Sequence, residues 1–111
     1  MNRRRRDREP AARFAGLEQR LVLGRLVPVA AGPLSRLLGL AHLDRDRAGP
    51  GLLLERCNSI HTLGMRFALD VFFLDAAGRV VRTELGVGHR RLLREPRAHA
   101  VFEVPSIGIT G

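Results

Sequence analysis

The sequence predicts a small α+β domain: mainly antiparallel β, with a curled or barrel-like sheet and one or two short helices. Three observations predict it. The chain has 111 residues, enough for one domain with a modest core. One apolar stripe at helical spacing is followed by short apolar runs bounded by Gly, Pro or Asp, the pattern of strands joined by tight turns. The strongest of these runs, residues 67–74, leads into Asp75-Ala76-Ala77-Gly78 and a return strand, a hairpin signal. A sheet this small must curl or close in part to limit its exposed edges.

Residues 1–12 read as a disordered, arginine-rich tail, in which Arg3, Arg4, Arg5, Arg6 and Arg8 interleave with Asp7 and Glu9. Residues 13–111 form the single domain. Pro10 opens a short helix to Gln19, with Phe14 and Leu17 on one side. Residues 21–29 have strand character from Val22, Val27 and Val29, and Pro28 marks an edge or an end. Gly32-Pro33 opens a clearer helix whose Leu34, Leu37, Leu38 and Ala41 share one stripe. Residues 44–51 are a polar loop closed by Gly and Pro. Strands follow at 52–55, 67–74, 79–85, 89–94 and 100–104, and residues 105–111 fray.

Composition excludes several classes. A single cysteine rules out an intramolecular disulfide framework and a multi-cysteine zinc site. The longest uncharged run, residues 26–35, has ten residues against the ~20 needed to cross a bilayer, so no membrane span is expected. Arg13, Glu18, Arg20 and Arg25 interrupt any signal-peptide core, which predicts a cytoplasmic protein. The net charge of +8 comes from 19 basic residues, all arginine. It gathers in the tail and in residues 79–97, while residues 41–78 are slightly acidic. All five Phe lie outside the two basic zones, so the stacking platform of a single-strand binder is missing.

One segment departs from a plain fold pattern. Cys57-Asn58-Ser59-Ile60-His61-Thr62-Leu63-Gly64-Met65-Arg66 places the sole cysteine, a histidine and small polar side chains between two apolar strands, where rigid elements hold loops that carry sites. Asp70 follows inside the most hydrophobic strand. A buried carboxylate needs a partner, such as Arg66, His61, Thr62 or a backbone N–H. Three functions compete with a structural role in which Cys57 is a small buried hydrophobe and His61 and Asp70 brace the loop. Cys57 and His61 with Asp70 form a nucleophile–base set; the same three ligate a metal with His89 or His99 recruited; or Asn58, His61, Thr62 and Asp70 line a polar pocket for a small ligand or peptide.

The run from Cys57 to Phe67, with Leu69-Asp70-Val71-Phe72-Phe73-Leu74-Asp75 and Gly78-Arg79-Val80-Val81, resembles the signature of the domain-of-unknown-function 192 family (uncharacterised protein family 0127). That signature reads approximately C-x-S-I-H-T-F-G-M-R-F-P-I-D-V-x-F-L-D-x-x-G-x-V. Arg36-Leu37-Leu38-Gly39-Leu40 is similar to the family's R-x-x-G-L helix, and Ala100-Val101-Phe102-Glu103-Val104-Pro105 to its A-x-x-L-E-L-P strand. The resemblance is strongest over residues 20–105. Ala68 stands where the family usually has proline, so the entry to that strand is less constrained. Ser106-Ile107 stands where the family continues with Ala-Gly and a further segment, so a final strand or helix is expected to be missing and one edge of the sheet open. The resemblance implies a compact, mostly β fold in small bacterial and archaeal proteins, some secreted and some cytoplasmic. It implies no established reaction.

The leading expectation is therefore a non-catalytic binding or accessory module, with no cofactor and no resident metal. Its polar site is built from Cys57, Asn58, His61, Thr62, Arg66 and Asp70, and its partner is a small ligand or a protein. The alternatives are a hydrolase-like or metal-dependent enzyme using Cys57, His61 and Asp70, and a nucleic-acid-binding domain using Arg79, Arg82, Arg90, Arg91, Arg94 and Arg97.

Overall fold

The computed structural model describes residues 12–106. The expected tail and the frayed end lie, but for Ala12, Pro105 and Ser106, outside the described residues. Eight strands and one helix follow in the order β1 (Gln19–Val22), β2 (Arg25–Ala30), α1 (Pro33–Leu38), β3 (Leu52–Glu55), β4 (Ser59–His61), β5 (Leu69–Leu74), β6 (Val80–Val87), β7 (Leu92–Arg94) and β8 (Ala100–Pro105). Six strands make one sheet in the order β1-β2-β3-β8-β5-β6, and β4 with β7 makes a second, two-stranded sheet. All neighbours are antiparallel except β2 and β3, which run parallel with Val29 opposite Leu53.

The domain is thus mostly β, and α+β overstates its helical content. Beside α1 there are only 3₁₀ turns at Ala12–Phe14 and Arg45–Arg47 among the described residues; of the helix expected over residues 10–19, the described part, 12–19, holds only the first of these. The large sheet is open, ending at β1 and β6, and not a barrel.

The second expected helix is cut to six residues for a local reason. Gly39 has φ 49 and ψ −125, a conformation that strains any residue with a Cβ. A Cβ there would also lie 2.7 Å from Glu103 Oε1. The helix ends at this approach, so the stripe continues differently from its period: Leu37 is 60% exposed while Leu40, past the helix, is fully buried. The run 21–29 breaks for a similar reason. Leu23 (φ 48) and Gly24 (φ 84) form the two-residue turn of the β1–β2 hairpin, where two successive positive φ values match the twist of the strands.

The large sheet buries apolar side chains on both faces, which is why residues 69–74 lack a clean alternation. Leu52, Leu54, Leu69, Val71, Phe73 and Val101 form one core with Leu40 and Met65, and with Ile60 and Leu93 from the small sheet. Val22, Val27, Val29, Leu53, Leu74, Phe102 and Val104 form the second. The expected turn at residues 75–78 is present: Asp75 Oδ1 accepts from Ala77 N and Arg79 N, each at 2.9 Å, and Gly78 has φ 84.

Gly51, at the entry to β3, is buried with φ +123, and a Cβ there would meet the Glu103 carbonyl oxygen at 2.7 Å and Phe102 Cε1 at 2.9 Å. The oxygen belongs to the backbone of the central strand β8 and cannot swing away. Gly51→Ala is expected to cost about 3 kcal/mol from overpacking and strained φ together, read as a lowered midpoint in urea denaturation at unchanged m.

Candidate functional site

A cleft of about 300 Å³ opens between α1 and the small sheet. Its walls are Arg36 and Leu37 from α1 and Ser59 and His61 from β4; Ile60, Met65 and Leu92 add apolar surface, and Glu103 of β8 lies against it. The hairpin register sets the small-sheet wall. Ile60 faces Leu93 and both are buried in the core, so His61 and its partner Leu92 point the other way. Leu37 and Leu92, 60% and 76% exposed, give the mouth two apolar lips.

Glu103 is the unusual member. Strand alternation puts it on the same face of β8 as Val101, the face that builds the first core, and only 3% of it is exposed. Its carboxyl receives a hydrogen bond from the backbone N–H of Leu40, while Oε1 has no partner among the described residues. Burial pushes the group up to about 7, against the opposing pull of the Leu40 N–H and the charge of Arg13. Arg13 makes no ion pair with it. Its guanidinium donates instead to the carbonyls of Gly39 at 2.9 Å and Ala41 at 2.6 Å, which fixes the chain that crosses over the carboxyl. Arg36 on the cleft wall donates through Nη1 to Arg56 O at 2.9 Å, and its buried Nε likewise has no partner.

The six residues singled out from the sequence are distributed over several environments. His61 lines this cleft, and its Nδ1 accepts from Leu63 N at 3.3 Å, which in the neutral ring leaves the proton on Nε2. Cys57 and Asn58 line a shallower depression with Arg56, Ala98 and His99. The Cys57 thiol donates to Ser59 O at 3.0 Å and not to His61; burial pushes it up, with Glu103 adding to and Arg36 opposing the shift. Thr62 is fully buried as a latch: its hydroxyl donates to Gly88 O and accepts from Arg91 N, each at 2.8 Å. Arg66 pairs at the surface with Asp44 at 2.9 Å. Asp70 projects to the second face of the large sheet beside Phe72 and Phe102, and accepts from Gly86 N at 2.9 Å.

The structure therefore does not bring Cys57, His61 and Asp70 into one constellation. Among the described residues no group of three His, Cys, Asp or Glu is placed to hold a metal ion. In the basic zone, Arg82 donates to Glu84 and to Arg94 O, and Arg97 to Glu95 and to Val81 O, so both are framework groups. Glu103 was missed from the sequence. The signal that marked Asp70, a carboxylate inside an apolar strand, is equally present in Val101-Phe102-Glu103-Val104.

The DUF192 profile, described as an uncharacterized ACR, matches residues 9–108. The chain belongs to this family. A crystal structure of a protein of unknown function from Novosphingobium aromaticivorans DSM 12444 has a similar fold, with a TM-score of 0.60 and 16% identity. The match covers 75% of this DUF192 chain and 66% of that one, so the chain spans somewhat less than two thirds of that neighbour's length. No curated protein matches the sequence. No helix among the described residues of this DUF192 protein is long and apolar enough to cross a membrane.

Two glutamates give stability opposite pH slopes. Arg97, through side-chain and backbone hydrogen bonds, lowers Glu95 from 4.5 to about 2, so its contribution is present above pH 4.5 and is lost as pH falls toward 2. Glu103 is raised from 4.5 to about 7. The folded state holds that proton more tightly, so its contribution is full below pH 4.5 and is lost as pH rises through 7. The loss is on the order of 3 kcal/mol for a shift of that size. Urea denaturation between pH 4 and 8 is expected to show stability falling across this window, and Glu103→Gln to flatten the fall; an equal slope in the variant contradicts the assignment. Thr62→Val, which strands Arg91 N and Gly88 O, is expected to cost about 1–3 kcal/mol, with the fastest gain in hydrogen exchange at residues 88–92.

Proposed function

We propose that this DUF192 protein is a non-catalytic, cytoplasmic binding module that takes a small ligand in the cleft between α1 and the small sheet. One observation carries the reading: a carboxyl group cut off from water lies against that cleft with one oxygen unpartnered. A buried polar atom without a partner costs free energy, and a ligand group that supplies the missing hydrogen bond recovers it. The surroundings fit a recognition pocket, in which apolar walls bury the ligand's body and a few polar groups orient it. Of the residues that the sequence suggested for a polar pocket, His61 lines this cleft, and the proposed anchor is Glu103 in place of the loop and Asp70.

Catalysis at Cys57 has less support. A cysteine nucleophile needs a lowered pKa or an adjacent base, and this thiol is raised and turned to a carbonyl. Titration of the ¹⁵N-labelled full chain with benzylamine, isobutyramide and isovalerate tests the cleft directly. At least one probe is expected to move amides of residues 34–40, 59–61, 65, 92 and 103 as a set. If none of the three moves that set, the reading fails.

A further inference from the structure

Among the described residues three buried side-chain atoms lack a partner, Arg13 Nε, Arg36 Nε and Glu103 Oε1, and the two that belong to residues lining the cleft, Arg36 and Glu103, are complementary. Glu103 Oε1 is an acceptor lacking a donor, and Arg36 Nε–H is a donor lacking an acceptor. Both residues line the cleft, yet no ion pair joins them. Nη1 of Arg36 is committed to Arg56 O, so Nε–H is fixed in direction and cannot turn toward the carboxyl by rotation of the guanidinium alone. His61 adds a further donor on the same lining, because its Nδ1 is occupied by Leu63 N and Nε2 carries the proton. Donors thus stand on the α1 and β4 walls and an anion-capable acceptor at the β8 floor. Between them lie Leu37, Leu38, Ile60, Met65 and Leu92.

A ligand matching this set carries a cationic donor, an anionic acceptor and an apolar branch. We propose that the cleft binds a free α-amino acid with an aliphatic or thioether side chain, its ammonium on Glu103, its carboxylate on Arg36 Nε and His61 Nε2, and its side chain between Leu37 and Leu92. The site volume of about 300 Å³ is at the lower end of small-ligand pockets and suits a molecule of leucine or methionine size. A zwitterion answers both orphan atoms at once. A simple amine leaves the arginine donor unmatched, a simple carboxylate leaves the glutamate unmatched, and each residual orphan weakens binding. Burial favours the neutral form of Glu103, while the Leu40 N–H and the charge of Arg13, from the segment before β1, favour the ionised one. Arg36 on α1, Cys57 after β3 and His61 on β4 are the other titratable groups around the cleft. This inference rests on the cleft reading above and narrows it to one chemical class.

The test is calorimetric and NMR titration of the full chain with L-leucine, L-methionine, N-acetyl-L-leucine, L-leucinamide and isoamylamine, alongside Glu103→Gln. Leucine or methionine is expected to bind and to shift residues 34–40, 59–61 and 103. N-acetyl-leucine, which lacks the ammonium, and leucinamide, which lacks the carboxylate and imitates a peptide N-terminus, are each expected to bind at least tenfold more weakly. Glu103→Gln is expected to lose at least tenfold for leucine and little for N-acetyl-leucine, with a wild-type-like spectrum showing that it folds. Leucinamide or isoamylamine binding as tightly as leucine overturns the proposal, as does undiminished leucine binding by Glu103→Gln. If benzylamine, isobutyramide or isovalerate moves the cleft amides while leucine and methionine do not, the amino-acid assignment fails and the binding-cleft reading stands. If nothing moves them, both fail.

Discussion

A carboxyl group on the central strand β8, sealed from water, constrains the structure around it on every side. Glu103 pairs with Leu52 on one neighbouring strand and Val71 on the other, so its position is fixed by the ladder and cannot be relaxed by fraying. Its side chain needs Gly39 and its carbonyl needs Gly51, because a Cβ at either place would come within 2.7 Å of one of its oxygens. The first demand ends α1 after six residues and turns the chain so that the Leu40 amide meets the carboxyl. The second fits the entry to β3 against β8. Arg13 then holds the Gly39 and Ala41 carbonyls from outside, which gives the segment before β1 a place in the fold.

The small sheet is positioned by a different set of bonds. Ile60 and Leu93 bury its inner face, which supplies most of its attachment, but apolar burial is not directional. Direction comes from Thr62, whose buried hydroxyl ties β4 to the stretch between β6 and β7. It comes also from Arg82 and Arg97, which reach from β6 to the β7 end and from the following turn back to β6. Two arginines in the most basic stretch therefore act as crosslinks whose charges are met by Glu84 and Glu95. A guanidinium suits this use because its fork of donors can serve a carboxylate and a carbonyl together.

Much of the fold was legible because it rests on period and turn chemistry. The 75–78 hairpin, the strand after Gly51 and the last strand are all set by local residues. The sequence-based reading failed where a distant residue decides. Gly39 in isolation reads as a tolerable interruption of a helical stripe, and only Glu103, far along the chain, makes it a stop. Residues 21–29 read as one strand because Leu23 is a poor turn former, yet the hairpin holds it at φ 48. Residues 59–61 read as loop since a three-residue strand has too few positions to show alternation. The candidate site divides in the same way. His61 could be picked out by residue type and context. Glu103 carries the same mark as Asp70, a carboxylate within an apolar strand, but the lack of partners at its Oε1 and at Arg36 Nε is a property of three-dimensional packing and leaves no mark on the sequence.

That lack separates the demands of folding from those of function. A leucine at 103 would fill a similar volume with no charge to desolvate, and buried ionic groups are often matched or exceeded in stability by such replacements. The fold gains little from the carboxyl that it would not gain from a hydrocarbon, and in return it accepts a glycine at 39, a shortened helix and a pH-sensitive core. Local rules are violated together at this one point, while the side chains of Asp75, Thr62 and Glu95 are all hydrogen-bonded. Concentrated inconsistency of this kind marks functional sites more than structural ones. It falls on the wall of a cleft whose lips are exposed leucines, and that coincidence is the ground for proposing the cleft, more than the loop that carries the cysteine, as the ligand site.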